Sequence, residues 1–498
     1  MPIQTYTFPN GFRVIYETPE NRMNITHVNV FCRVGSAFEN ENVRGVSHFI
    51  EHMCFKGTPR LPTSRDILSE YDTIGAYFNA YTEKQYTCYD AKFHSNYTEH
   101  SLDVLSDILL NSSFDKSEYE KEMNVVIEEN VRNETDYENE MCDLTESMVY
   151  KGSVYEQPID TMRFHKSVDV WKYEDVISFY REKYVPQNML LSIITPIPFS
   201  TILRYIKKTD FVNIGKCGEV AKPHSRNIRI ETILNTIPRI EICRRGDRRE
   251  TRRETRRETR RKMIHETQTE TRIELKRIND IQTAYLTISF RTCSLYSEDR
   301  HALDVLSNIL GASFTSRMFI LLREQNGLTY TSNVITKYYE HSGDIRFIAI
   351  TESKKLIHNS DRLSNRTKKR FSSNHPTTNR KKGVLPLMMG MIRDLVNHGV
   401  SEKELRETKQ YLEGNHALNM EDAETQVDYN GKELFLRNSE EIIPYKMVYQ
   451  KNIQPITRTD ISRVIAKYFK PENMNVAIVG GKLPSVLSIR KVCELGKQ

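Results

Sequence analysis

The chain has 498 residues, of which 38% are hydrophobic and 28% are charged. This length is enough for two or three domains, each with its own buried core. No apolar run approaches eighteen residues, so no membrane span is expected, and the first residues form neither a signal peptide nor an Arg-rich leader. The eight cysteines include no C-x-x-C pair, so we expect a reduced, intracellular protein, in the cytoplasm.

The net charge of +6 is concentrated in two segments. Residues 244–262 carry ten Arg and one Lys against one Asp and three Glu, and residues 352–383 carry ten basic against two acidic residues. The remainder of the chain is therefore acidic. The first segment repeats Arg-Arg-Glu-Thr three times and has no apolar face, so it cannot bury itself. We interpret 226–270 as a linker with a basic insert and 352–383 as a second basic, low-complexity insert.

Hydrophobic patterning predicts strands and helices along the first 200 or so residues. In chain order they are strands within 8–40, a buried helix at 46–55, a strand near 86–93, helices at 100–111, 115–133 and 172–183, and an apolar strand at 190–194. This mixture predicts a first domain over residues 1–225.

Two pieces of this first domain recur later in the chain. The segment K-Y-V-P-Q-N-M at 183–189 returns as K-Y-F-K-P-E-N-M at 467–474, and an apolar strand follows each copy. The helix at 117–129 has a counterpart at 403–415. Similar separations indicate one duplicated unit. We therefore predict a second, homologous α/β domain over residues 271–498.

The sequence G-V-S-H-F-I-E-H-M-C-F-K-G-T at 45–58 contains the spacing H-x-x-E-H, formed by His48, Glu51 and His52. On a helix, residues four apart lie on one face, so both imidazoles can bind one metal ion. Glu51 points to nearly the same side, where a carboxylate can act as general base for metal-assisted hydrolysis. The other interpretation is two hydrogen-bonded histidines and a solvated glutamate on an ordinary helix.

This segment closely resembles the active-site helix of the pitrilysin/insulinase family of zinc peptidases, which carries the inverted zinc motif. Within the family, it is most similar to the mitochondrial processing peptidase beta subunit and its bacterial counterparts. The resemblance implies a zinc endopeptidase with one Zn²⁺ per chain. Zinc would polarise the scissile carbonyl and activate a water, and Glu51 would take the proton of that water and pass it to the leaving amine.

The family pattern implies a third zinc ligand about 76 residues after the second histidine. That position is Glu129, on the predicted helix 115–133. Glu128 is the rival, but adjacent residues point about 100° apart around a helix. Glu122, two turns before Glu129, resembles the second acidic residue of the family and would orient a ligand.

The second half resembles the same family at residues 316–330, S-R-M-F-I-L-L-R-E-Q-N-G-L-T-Y. The family's Arg and Tyr contact substrate, which implies this role for Arg323 and Tyr330. The counterpart of Glu129 in this half is Asn415, and no second H-x-x-E-H occurs, so this domain is expected to be inactive. In the first half, Asn79 and Ala80 are expected to border an edge strand on which substrate adds as a further strand, as the family implies.

The family implies an α+β fold, with two homologous α/β domains, each a mostly antiparallel sheet flanked by helices, that together form half of a clamshell. Closing the chamber would need a second chain, either as a homodimer or as a heterodimer with a related non-catalytic subunit. An acidic body suits basic peptides, including N-terminal presequences. Mitochondrial members of the family also make that organelle, or a related one, a candidate compartment.

Two other function classes remain open from the sequence. Relatives in respiratory complexes keep this fold and lose the motif, so a non-catalytic structural subunit is one alternative. Binding of nucleic acid or an acidic surface through the Arg repeats is the other, because basic runs bind phosphate non-specifically. No aromatic residues interleave with 244–262, so we do not expect a nucleic-acid partner.

Overall fold

The computed structural model describes residues 3–19, 24–133, 136–159, 171–213, 271–358, 382–437 and 442–494. The predicted linker at 226–270 lies wholly outside the described residues, and so does most of the predicted insert at 352–383. The ends of that insert belong to the second domain, because Glu352 ends a strand and Leu356 is fully buried.

The first sheet has six strands in the order β1-β2-β6-β3-β5-β4. They are β1 Gln4–Thr7, β2 Arg13–Glu17, β3 Ile25–Cys32, β4 Tyr77–Thr82, β5 Thr87–His94 and β6 Met189–Ile194. Only the β2–β6 pair is parallel. In the centre of the sheet, Val30 of β3 lies between Tyr89 of β5 and Leu191 of β6. The strand β4 forms an edge, with β5 as its neighbour.

The second sheet has five strands in the order β7-β11-β8-β10-β9. They are β7 Arg272–Arg277, β8 Thr283–Thr292, β9 Thr329–Tyr338, β10 Gly343–Glu352 and β11 Met474–Gly480. Only the β7–β11 pair is parallel. Apart from the added β1, this order repeats that of the first sheet strand for strand. The predicted fold class, two homologous and mostly antiparallel α/β domains, is confirmed.

Helices cover the sheets of both domains. In the first half they are α1 Val46–Met53, α2 Ser64–Asp72, α3 Thr98–Leu110, α4 Lys116–Asn133, α5 Tyr137–Val149, α6 Tyr173–Lys183, α7 Phe199–Ile206 and α8 Asp210–Asn213. In the second half they are α9 Asp299–Ser307, α10 Val384–His398, α11 Glu402–Asn419, α12 Ala423–Arg437, α13 Tyr445–Val448, α14 Arg458–Tyr468 and α15 Val486–Cys493. Among the described helices, none combines the length and the apolar character needed to cross a membrane.

The two halves exchange one helix each. Helix α5 of the first half packs on β8 and β11 of the second sheet, and α12 of the second half packs on β6 and β3 of the first sheet. Close packing at α12 needs Gly431, because a Cβ there would lie 2.1 Å from the ring of Phe31. Ser192 of β6 also donates a hydrogen bond to the carbonyl of Val427 at 2.6 Å. The predicted boundary at residue 225 lies outside the described residues and stays a prediction, and the packing on either side of it interlocks the two domains.

Candidate active site

Helix α1 carries the H-x-x-E-H residues and is held by apolar packing along one face. Val46, Phe49, Ile50 and Met53 are fully buried, which follows from their helical spacing. The N-terminus of the helix is capped by Glu39, whose carboxylate accepts hydrogen bonds from the backbone N–H groups of Gly45 at 2.6 Å and Ser47 at 2.9 Å. The polar face of α1 is therefore presented in a fixed orientation.

The imidazoles of His48 and His52 face each other on this polar side. Their Nε2 atoms lie 3.2 Å apart. Burial and, to a smaller extent, neighbouring His52 lower the pKa of His48 to about 4, so His48 is neutral at pH 7. Its Nδ1 is buried and has no hydrogen-bond partner among the described atoms. A neutral imidazole with its Nε2 turned toward a second imidazole is in the form that binds a metal ion.

Glu122 orients His52 from α4. Its Oε1 lies 2.8 Å from Nδ1 of His52, and its Oε2 lies 2.5 Å from Nζ of Lys56. Burial acts to raise the pKa of Glu122, but the hydrogen bonds from His52 and Lys56 outweigh it and leave that pKa lowered. A carboxylate at Nδ1 keeps the proton on that nitrogen and directs the lone pair of Nε2 toward the site.

Glu129 and Glu128 have different surroundings on the same helix. The carboxylate of Glu129 lies 3.6 Å from Nε2 of His52, whereas Glu128 is exposed. Within the part of the chain that the structure describes, His48, His52 and Glu129 form the one group able to hold a metal ion, with ligand atoms that all lie within 4.8 Å of one another.

Glu51 lies beside this group and is held by the edge strand of the sheet. Its Oε2 accepts a hydrogen bond of 2.5 Å from the hydroxyl of Thr82, the last residue of β4. Burial raises the pKa of Glu51, although the Thr82 hydrogen bond acts in the opposite direction. A raised pKa brings a carboxylate closer to the range in which it exchanges protons at neutral pH.

Two imidazoles and one carboxylate are a usual zinc ligand set. With zinc–nitrogen distances of about 2.05 Å, two nitrogens of a tetrahedral site lie roughly 3.3 Å apart. The separation of 3.2 Å between the two Nε2 atoms fits that value. The residues present therefore fit a zinc ion, with Glu51 beside the ligands and not among them.

Three supporting residues were not predicted from the sequence. They are Lys56, which pairs with Glu122, Thr82, which binds Glu51, and Glu39, which caps α1. Their roles depend on contacts between elements distant in the chain or on the path of a loop. No local pattern in the sequence indicates such contacts.

The predicted substrate-binding residues of the first half lie on β4. Asn79 pairs with Asp90 of β5, and Ala80 pairs with Tyr89. On the other side of β4, the described residues contribute no neighbouring strand. The backbone of this edge is therefore available to an added strand.

Arg323 and Tyr330 come together in the second half. The guanidinium of Arg323 lies 5.4 Å from the ring centroid of Tyr330 and 5.3 Å from that of Phe319. Tyr330 is 83% exposed, on the edge strand β9. These contacts are all within the second domain, and none of them reaches the group on α1. The structure thus pairs the two residues with each other and exposes the tyrosine to solvent.

A two-domain α+β protein with a His-His-carboxylate group beside a buried glutamate has the arrangement expected of a metallopeptidase, and comparison with known families agrees with the family that the motifs predicted. Residues 14–161 match the family described as Insulinase (Peptidase family M16), and residues 171–412 match Peptidase M16 inactive domain. The chain belongs to this peptidase family, as the sequence motifs predicted.

Relatives extend over nearly the whole chain. An uncharacterized zinc protease of Bacillus subtilis is 25% identical over 489 residues, which cover 97% of this chain and 100% of the relative. The mitochondrial-processing peptidase subunit beta of Caenorhabditis elegans is 41% identical over 147 residues, or 30% of this chain and 31% of that protein. The crystal structure of a protease from Helicobacter pylori has a TM-score of 0.73 at 19% identity, and the match covers 96% of this chain and 99% of that one.

Proposed function

We propose that this protein is a zinc-dependent endopeptidase. The observation that carries the proposal is the convergence of His48, His52 and Glu129, whose ligand atoms lie within 4.8 Å of one another, beside the buried carboxylate of Glu51. Two imidazoles and a carboxylate leave a fourth position of a tetrahedral zinc for water or substrate, as a hydrolytic site requires.

When bound by these three residues, zinc supplies Lewis acidity toward the peptide carbonyl and the attacking water. Glu51 is the general base. Thr82 occupies its Oε2, so Oε1 takes the proton from the water and later delivers it to the leaving amine. Glu122 and Lys56 hold His52 in the tautomer that directs Nε2 toward the ligand position.

The substrate we propose is an extended, basic peptide, such as an N-terminal presequence. It would add to β4 at Asn79 and Ala80, because this edge offers backbone hydrogen-bond groups along the strand. The acidic character of the chain outside its two basic segments favours cationic substrates. The processing peptidase beta subunit among the relatives supports this substrate class.

We also propose that a second chain completes the chamber, either another copy or a related non-catalytic subunit. The relative from Caenorhabditis elegans is named as one subunit of a processing peptidase, which supports the second arrangement. Arg323 and Tyr330 would serve as substrate contacts on the exposed surface of the second domain. The six described cysteines are free thiols, which supports an intracellular location.

The test is metal analysis combined with peptide cleavage. The full chain, isolated with any subunit that accompanies it, should contain one zinc per chain and cleave basic members of a synthetic peptide library. A chelator should abolish cleavage, and added zinc should restore it. A protein that binds zinc yet cleaves no peptide in the library would contradict the proposal and favour a structural subunit. A protein without zinc would contradict the ligand assignment.

A further inference from the structure

The turn that joins β4 to β5 contains a buried lysine. The backbone N–H of Glu83 donates to the carbonyl of Tyr86 at 2.8 Å and closes the turn, so Lys84 and Gln85 form its tip. Loops usually lie in solvent, but Lys84 is 1% exposed and Gln85 is 4% exposed. A lysine is almost never buried to this extent without a partner.

The partner of this lysine is Glu146 of α5. Nζ of Lys84 lies 2.8 Å from Oε2 of Glu146 and also donates to the carbonyl of Gln157. The other oxygen of Glu146 accepts from Arg346 at 2.9 Å and from Lys337 at 3.0 Å, both in the second sheet. Burial acts to raise the pKa of Glu146, but these three cations outweigh it, so the carboxylate stays ionised.

The second domain fixes this group of charges. Arg346 is 1% exposed and donates two hydrogen bonds to Asp344, at 2.6 and 2.9 Å. The tip of the turn also binds the second domain directly, since the backbone N–H of Glu340 donates to the side-chain oxygen of Gln85 at 3.3 Å. The position of the turn therefore depends on residues of the second domain.

Hydrogen bonds at this turn and at the adjoining end of β4 reach α1 and the segment that precedes it. Thr82, two residues before Lys84, donates to Glu51. The carbonyl of Lys84 accepts a hydrogen bond of 2.9 Å from the N–H of Ala37, in the segment that leads to the α1 cap Glu39. A displacement of the turn would therefore move both the general base and the cap of its helix.

The packing between this segment and the turn leaves no room for adjustment. A Cβ at Gly35 would lie 2.1 Å from the carbonyl oxygen of Glu83 and 2.6 Å from that of Lys84. Only glycine fits at such a distance from a neighbouring backbone. The turn and the segment that precedes the cap are therefore packed directly against each other at Gly35.

We propose that Lys84 is a positioning residue, and that its ion pair with Glu146 ties the β4–β5 turn to the second domain so that Thr82 holds Glu51 in place. This inference rests on the proposed peptidase function. Buried ion pairs are often replaceable by apolar residues without loss of stability. The geometry here points to alignment of the catalytic base as what the pair contributes.

The test compares steady-state kinetics of Lys84→Met with those of the wild type, on a basic peptide that the wild type cleaves. Glu146 keeps Arg346 and Lys337 in this variant, so we expect it to fold. We expect kcat to fall roughly tenfold to a hundredfold, because small displacements of catalytic groups have effects of this size. KM and zinc content should be unchanged. Lys84→Arg, which keeps the charge, should restore part of the loss.

A double-mutant cycle separates positioning from general destabilisation. Thr82→Val removes the hydrogen bond to Glu51, so the losses from Lys84→Met and Thr82→Val should not multiply if the lysine acts through Thr82. Lys208→Met is the matched control, since it breaks an exposed ion pair with Glu99 in the same domain. It should leave kcat unchanged.

Three outcomes are decisive. Wild-type kcat in Lys84→Met, or a fully multiplicative loss with Thr82→Val, would overturn the inference and leave the proposed function standing. Inactive wild type with bound zinc would instead overturn the proposed function. If Lys84→Met does not fold, Glu146→Asp is tested in its place. This variant conserves every charge and only shortens the side chain that carries the carboxylate. It should show the same fall in kcat and the same non-additivity.

Discussion

The two halves of the chain place a carboxylate at the same point and use it differently. Helices α1 and α9 each follow the central antiparallel strand of their sheet. Glu51 of α1 accepts from Thr82, the last residue of β4, and Asp304 of α9 accepts at 2.8 Å from the hydroxyl of Tyr338, the last residue of β9. The contact between helix and edge strand is therefore common to both domains and does not require a metal.

The difference lies in the residues around that carboxylate. His301 stands three residues before Asp304, as His48 stands before Glu51, but Val305 replaces His52. On the facing helices, Glu129 is the fourteenth residue of α4 and Asn415 the fourteenth of α11. Two changes, one on each helix, therefore remove two of the three proposed metal ligands and leave the scaffold intact.

The largest expected effect is the difference in kcat between variants of Glu51 and of its counterpart Asp304. Glu51→Gln should reduce kcat by about 10²–10⁴-fold, because the general base is lost while all three zinc ligands remain. Asp304→Asn should leave kcat within a few-fold of the wild type. The measurement is kcat with zinc content determined on the same samples. Near-normal turnover in Glu51→Gln would refute its assignment as the base.

The second prediction concerns the exposed edge of the inactive half. Tyr330→Phe should lower kcat by roughly 10²–10³-fold if its hydroxyl donates to the developing oxyanion, since one such donor contributes about this much. Arg323→Ala should lower kcat/KM as well, because its guanidinium packs on the Tyr330 ring. Thermal stability and zinc content serve as controls and should not change. Wild-type kinetics in both variants would mean that the second half has a structural role and that neither side chain takes part in catalysis.

The third prediction compares the neighbouring glutamates of α4. Glu129→Gln should weaken zinc binding by about a hundredfold, since even residues that only orient a ligand contribute 10–100-fold. Glu128→Gln should leave the affinity unchanged, because its side chain is exposed. Competition with a calibrated chelator measures both. Equal affinities in the two variants would contradict the choice of Glu129.

The smallest expected effect is on stability and follows from the helix caps. Burial raises the pKa of Glu39 to about 7. A carboxyl group with a raised folded-state pKa binds its proton more tightly in the folded protein, so its contribution to stability falls as pH rises from about 4.5 to 7. In metal-free protein, Glu39→Gln should flatten the fall in melting temperature over this range by roughly a few degrees. At the start of α9 the acceptor is the hydroxyl of Ser297, which takes a hydrogen bond of 3.2 Å from the N–H of Asp299 and does not titrate, so no matching effect is expected there.

Features that depend on residues close together in the chain were predicted from the sequence. The spacing in α1 placed the imidazoles of His48 and His52 together, and the resemblance to the family favoured Glu129 over Glu128. The duplication was visible because its copies lie in continuous elements. Contacts that depend on tertiary register were not predicted. Lys84 lies in the turn Glu83-Lys84-Gln85, whose polar composition predicts a position on the surface.

The reciprocal placement of α5 and α12 was likewise beyond local patterning. An amphipathic helix shows that it covers an apolar surface, but not which of two similar sheets supplies it. The short connection from α4 to α5, and the equally short one from α11 to α12, gave no sign that each helix crosses to the other domain.

That exchange gives the chain the topology of a domain-swapped dimer whose two protomers have been fused. In each half, the helix that follows the long helix α4 or α11 packs on the sheet of the other half. Helix α5 covers the second sheet, and α12 covers the first. A unit separated from its partner would expose the sheet face that the borrowed helix covers, so neither copy can be discarded in evolution without loss of the other. Interlocked packing is therefore a structural reason to retain a half without the proposed metal ligands, whatever that half contributes to catalysis.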